Sequence, residues 1–114
     1  DKNKFNNFKK KRFDNLLGWD KKPKTISYDF LKGKKIKYEI DKRGYRKLTK
    51  RKKKELVASF GDSYVFCRQV KDSNTWQESI SKNEKYCILN FGVGNYGLDQ
   101  SVLKYSKTKL KKTN

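Results

Sequence analysis

The chain has 114 residues, 33% apolar and 38% charged, with 31 Lys or Arg against 12 Asp or Glu and a net charge of +19. That length is within one domain, and so few apolar residues can bury only a small core. No run approaches the roughly 20 apolar residues that span a bilayer, no signal-peptide pattern is present, and the charge taken alone points to a polyanion partner.

The distribution of charge weakens that pointer. Residues 1–55 carry a net +15, residues 56–103 a net −1 and residues 104–114 a net +5, so the basic character belongs to the flanks of a nearly neutral block. The cations are mostly Lys, whereas base recognition and stacking favour Arg; nonspecific polyanion attraction is expected, and specific nucleic-acid binding by a basic module is the weaker alternative. With 0 Met the chain is not expected to begin at its own initiator, and Asp1 is read as following an arbitrary cut rather than proteolytic removal of a leader. Cys67 and Cys87 belong to no Cys-x-x-Cys or Cys/His pattern, so no metal site is expected; flanked by apolar residues, they read as small hydrophobes, compatible with a reducing compartment but not diagnostic of one.

In chain order, Phe5, Phe8, Phe13, Leu16, Leu17 and Trp19 are spaced to dress one face of a short helix before Gly18 and Pro23 interrupt it. Residues 26–48 alternate as strand, with Ile36, Tyr38 and Ile40 at period two, a turn at Asp41–Gly44 and a return at Tyr45-Arg46, a short hairpin. The run Lys50–Lys54 reads as a solvated entry to the next strand. Leu56–Phe60 is a short, mostly apolar run ending in Gly61-Asp62-Ser63, as a buried parallel strand ends. Residues 75–84, with Trp76 and Ile80, predict an amphipathic helix after a loop over Gln69–Asn74. Tyr86–Phe91 predicts a second strand running into a glycine-rich turn at Gly92–Gly97, and Leu98–Leu110 a second helix carrying Leu98, Val102, Tyr105 and Leu110. Strand, helix, strand, helix opens a parallel α/β sheet, whose functional crevice lies at the carboxyl ends of its strands.

Phe60-Gly61-Asp62-Ser63 resembles block I of the SGNH/GDSL hydrolase superfamily, and the string from Ile88 through Asn90-Phe91-Gly92-Val93-Gly94-Asn95-Tyr96-Gly97-Leu98-Asp99-Gln100 resembles its block II. Tyr38–Arg46 is similar to the lead-in before block I in some members. The resemblance implies a three-layer, flavodoxin-like (SGNH) parallel sheet present only in its N-terminal half over residues 55–114; by its composition, residues 1–54 read as a basic, weakly structured N-terminal extension before it. Loss of the third strand would expose one edge of Leu56–Phe60 and leave the chain prone to self-association.

The same resemblance makes Ser63 the catalytic nucleophile of a serine ester hydrolase acting on acyl esters. The oxyanion donors would be the backbone N–H of Ser63, that of Asn95, or of Gly94 if the alignment slips by one, and an Asn from a third block. Asn95 stands where the family has glycine; Asn is one of the few other residues enriched at positive φ. Asp62 supports the turn rather than catalysis, and Asp99 and Gln100 open the second helix. A glycan O-acyltransferase or deacetylase of the same family, acting on an acylated glycan, is the alternative. There is no Gly-x-Asn-Asp block and, with His 0, no Asp-x-x-His block, so the chain as given is expected to be inactive or nearly so. The sequence stops where the family's third strand would begin, which is read as truncation. Gly92-x-Gly94-x-x-Gly97 also satisfies the dinucleotide pattern, but an earlier strand carries Gly61-Asp62-Ser63, and the acidic partner expected about 20 residues on would fall beyond the chain. No cofactor is therefore expected. The compartment is not readable.

Overall fold

The computed structural model describes residues 1–49, 55–82, 85–108 and 110. Helix α1 (Lys2–Lys11) leads into strands β1 (Phe13–Asp14) and β2 (Gly18–Trp19), then β3 (Thr25–Leu31) and β4 (Lys34–Ile40). After them come β5 (Glu55–Ser59), α2 (Ser63–Phe66), a 3-10 turn over Asp72–Asn74, α3 (Trp76–Ser81), β6 (Tyr86–Asn90) and α4 (Leu98–Lys107). The fold is mixed α/β with small sheets: β1–β2 and β3–β4 pair antiparallel, β5–β6 parallel.

The aromatic N-terminus does not dress one helix face. Helix α1 has no buried residue. Past Lys11 the Asp14 carboxylate accepts the amide N–H groups of Leu16 and Leu17 (both 2.9 Å), a side-chain turn that competes with helix, and Gly18 reverses the chain at φ 79. Leu17 and Trp19 are thereby delivered onto Val93 and Tyr96.

Ile36, Tyr38 and Ile40 form the buried face of β4 at period two. The partner strand is β3, joined through Lys32 and Gly33 at φ 47 and φ 74, the two positive angles of a tight primed turn. The turn at Asp41–Gly44 also forms, but its return is a single bridge between Ile40 and Arg46, because the Arg46 amide donates instead to Asn90 O (2.9 Å). β3 presents Ile26, Tyr28 and Phe30 outward, and its register sets Ser27 opposite Tyr38 and Asp29 opposite Ile36 on the inner face.

Three small core clusters each join early and late residues. Tyr45 packs with Cys87, Leu89 and Phe91; Leu17 with Val93 and Tyr96; Tyr38 and Ile40 with Phe66. The break in charge near residue 54 is thus a break in composition, while packing crosses it. The run Lys50–Lys54 lies outside the described residues.

β5 and β6 run in register from Glu55 opposite Tyr86 to Ser59 opposite Asn90, and the ladder continues as Phe91 N–H to Ser59 O and Val93 N–H to Gly61 O (both 2.9 Å). Among the described residues β5 pairs with β6 alone, and Val57 is exposed.

Both later helices form, shorter than expected and with the opposite face inward. On α3, Trp76 and Ile80 are exposed, while Gln77, Glu78 and Ser81 are buried; Asn83 and Glu84 lie outside the described residues. On α4, which ends at Lys107, Leu98, Val102 and Tyr105 are exposed, and Ser101 and Lys104 are buried; Leu110, beyond the helix, is exposed too. The reason is what each inner face meets. Gln77 faces the Val65 carbonyl of α2 and the Ser59 hydroxyl, and Glu78 accepts the Thr49 N–H (2.7 Å) and hydroxyl (2.9 Å). Lys104 meets Asp20 at 2.6 Å, Lys107 pairs with Asp14, and Gln100 donates to Leu17 O at 2.9 Å. Polar surroundings select polar side chains.

Candidate functional site

Ser63 is the first residue of α2, directly after β5 and the turn Phe60-Gly61-Asp62. Asp62 is the N-cap: its carboxylate accepts the Tyr64 N–H at 2.9 Å, and its carbonyl accepts Phe66 N–H at 2.9 Å. Asp62 is thereby committed to shaping the turn. Ser63 is partly buried, and neither its hydroxyl nor its N–H has a hydrogen-bond partner among the described residues.

A helix of 4 residues satisfies almost none of its own carbonyls. Three buried side chains do so here. Gln77 Nε2 donates to Val65 O (2.7 Å) and to Ser59 Oγ (3.2 Å). Asn90 Nδ2 donates to Phe66 O at 3.2 Å. The Arg46 guanidinium, whose residue is only 2% exposed, spans Phe66 O (2.7 Å), Cys67 O (2.8 Å) and Val70 O (2.5 Å) and pairs with Asp72 through Nε at 2.6 Å. It also stacks near Tyr38 and Phe66, 5.6 and 4.8 Å from their ring centres. Cys67 ends α2 in the left-handed conformation at φ 59; neither cysteine is in a disulfide, and Cys87 is fully buried. Arg46, Gln77 and Asn90 hold the segment that Ser63 begins; Arg46 and Asn90 lie in the stretches that carry the resemblance, but the sequence assigned this role to none of the three.

The second turn leaves β6 beside the first. Asn90 Oδ1 accepts Gly92 N–H at 3.0 Å, and a Cβ on Gly92 would overlap the Phe66 amide nitrogen, so this glycine lets the two turns touch. From Val93 O to Tyr96 N–H (3.3 Å) the chain makes a β-turn with Asn95 in its third position at φ 65. Asn95 thus has the left-handed angle that glycine or Asn adopts most readily. Trp19 Nε1 donates to Gly94 O at 3.0 Å, and the Tyr96 hydroxyl donates to Trp19 O at 2.5 Å with the two rings edge to face at 5.9 Å. Burial, with Asp20 and Asp14 nearby, pushes the Tyr96 phenol well above its ordinary pKa.

Gly94 and Asn95 line a cleft of ≈ 400 Å³ together with Lys21, Tyr38, Phe66 and Arg68; Ser63 is not part of its wall. The structure therefore brings the two turns into contact through Gly92 and α2, and opens the Asn95 side of the second turn toward the N-terminal segment. Lys21 donates to the Tyr38 hydroxyl at 2.8 Å and lies 4.5 Å from the Tyr38 and Phe66 ring centres. Burial, reinforced by Arg12, lowers its pKa to about 7.

No protein-family model matches the chain, and a search of curated proteins finds no match. Among the described residues no helix is long and apolar enough to cross a membrane. Fold and site therefore define a mixed α/β chain with two touching loops at the carboxyl ends of a parallel strand pair.

Proposed function

We propose that the chain is the nucleophile-bearing half of a serine ester hydrolase of the SGNH/GDSL type, with Ser63 attacking an acyl ester and a flavodoxin-like, three-layer sheet as the complete scaffold. The observation that carries this reading is the packing of Gly92 against the Phe66 amide, which sets the Gly61–Ser63 and Gly92–Tyr96 turns side by side at the ends of parallel neighbours. Ligand sites of open α/β sheets sit at such strand ends. In this reading the unpaired Ser63 N–H and the Asn95 N–H stabilise the oxyanion, and Asp62 keeps its capping role. An acyltransferase or deacetylase acting on an acylated glycan would use the same first step.

A serine without a base is a poor nucleophile, and this chain has His 0. Imidazole added in solution can stand in for the missing base. We expect a fluorophosphonate to label Ser63 slowly or not at all on its own and in 1:1 stoichiometry as imidazole is raised, read by intact mass. Ser63→Ala should abolish the adduct. Imidazole-independent labelling spread over several serines, or an adduct that persists in Ser63→Ala, would overturn the proposal.

A further inference from the structure

We infer that the cleft between the N-terminal segment and the Gly94–Asn95 turn binds a dianionic tetrahedral oxyanion, a sulfate or phosphate group, on Lys21 and Arg12. Ser63 is not part of the cleft wall, although Gly94 and Asn95 are shared with the turn proposed to supply the oxyanion donor; the inference rests on Lys21 and Arg12 and does not depend on the hydrolase reading. Its charges are unbalanced in a specific way. Of the two acids in the wall, Asp29 is paired with Arg68 (3.1 Å) and Asp20 with Lys104 (2.6 Å). Arg46, behind the cleft, is spent on three carbonyls and Asp72. Lys21 and Arg12 remain without a carboxylate: both donate to the Tyr38 hydroxyl, at 2.8 and 3.5 Å. Two cations thus converge on one neutral oxygen.

The walls around them are aromatic, with Phe8, Trp19, Tyr38 and Phe66. Lys21 is partly buried against them, a less hydrated setting that strengthens attraction to an anion, while Arg12 is exposed at the rim; a guanidinium fork beside an ammonium suits a group with several equivalent oxygens. Burial is the largest cause of the depressed Lys21 pKa and the Arg12 charge the next, and an anion between the two cations would favour the charged lysine. The charged groups acting on it are Arg12, Asp29, Arg46 and Arg68, so the cations outnumber the acid three to one. The arrangement also gives α1 a purpose: with no buried residue of its own, it contributes Phe8 to the cleft wall, and Arg12 follows directly as its C-cap.

The test is a titration of the full chain with sodium sulfate at constant ionic strength, followed by amide and indole NMR shifts. Sulfate stays dianionic throughout the pH range used, so any pH dependence belongs to the protein. Saturable shifts are expected at Gly94, Asn95 and the Trp19 indole. Lys21→Met or Arg12→Met should weaken binding by about tenfold or more, and Lys4→Met on exposed α1 should leave it unchanged. Wild type should bind more tightly as pH falls through about 7; Lys21→Arg, always charged, should keep binding and lose that dependence. Glucose 1-phosphate in a parallel arm separates the sources: equal affinity supports a free ion, tighter binding a group carried on a larger ligand. Unsaturable shifts spread over surface lysines, or Lys21→Met binding as wild type does, would overturn the inference.

Discussion

Replacing Arg46 by Met should be among the most damaging single changes in the chain. The substitution keeps the aliphatic stem but removes the donors to Phe66 O, Cys67 O and Val70 O and the partner of Asp72. Phe66 O keeps Asn90, Cys67 O keeps Val70 N–H, and Asp72 keeps the Glu39 N–H (3.2 Å), so each loss is partial except at Val70 O. Breaking a buried charge pair from one side costs about 3–5 kcal/mol, and an abandoned carbonyl adds about 1 kcal/mol. The sum approaches the whole stability of many small domains, about 5 kcal/mol at the low end. Urea unfolding followed by far-ultraviolet circular dichroism should find Arg46→Met largely unfolded. Arg46→Lys should remain folded but lose about 2–3 kcal/mol, because one ammonium cannot span three carbonyls and a carboxylate. Chemical shifts at Ser63–Cys67 should move in Arg46→Lys, since α2 loses its clamp. An Arg46→Lys chain as stable as wild type, with an unmoved α2, would refute the reasoning.

Gly92→Ala should destabilise the chain by about 1–3 kcal/mol, since its Cβ meets backbone rather than a yielding side chain; an unchanged urea midpoint would contradict the contact. Asn95→Gly should be neutral or slightly stabilising, and Asn95→Val should cost about 1–2 kcal/mol, because a β-branched residue resists φ 65. The pH profile has a definite sign. Between about 7 and 10 folded Lys21 is neutral while the unfolded lysine still holds its proton, so stability rises with pH, by at most about 4 kcal/mol. Above about pH 10 the sign reverses, because Tyr96 ionises in the unfolded chain before it does in the fold. Urea midpoints at about pH 6, 8, 9.5 and 11 read both limbs, and the rising limb should shrink in Lys21→Met, leaving the part that Lys104, its pKa also lowered by burial, contributes.

The strands and turns around Ser63 and Asn95 were legible because local chemistry dictates them: a β-rich run ending in Gly-Asp-Ser, and another ending in clustered glycines. The orientation of α3 and α4 was not. Apolar periodicity identifies a core face only when the core is apolar, and these helices face carbonyls, a threonine hydroxyl and aspartates. Arg46 was hidden for a similar reason, since a strand return after Gly44 accounts for it without a role. Its one signal was chemical: in a chain that uses Lys nearly everywhere, an Arg beside a buried aromatic marks a place where planar, multiple donation is needed. β3 escaped notice as a separate strand because the Lys32-Gly33 turn lies inside a run of lysines.

The central claim is that Ser63 and the Gly92–Tyr96 turn make one site. It is tested most directly by recording amide nitrogen and proton shifts of the phosphonylated chain, prepared with imidazole, against the unmodified one. The account predicts that the Asn95 N–H moves strongly downfield with that of Ser63 as both take up the phosphonyl oxygen, while the remote Ile26 and Phe30 amides stay fixed. An adduct on Ser63 that leaves the Asn95 amide where it was would contradict it.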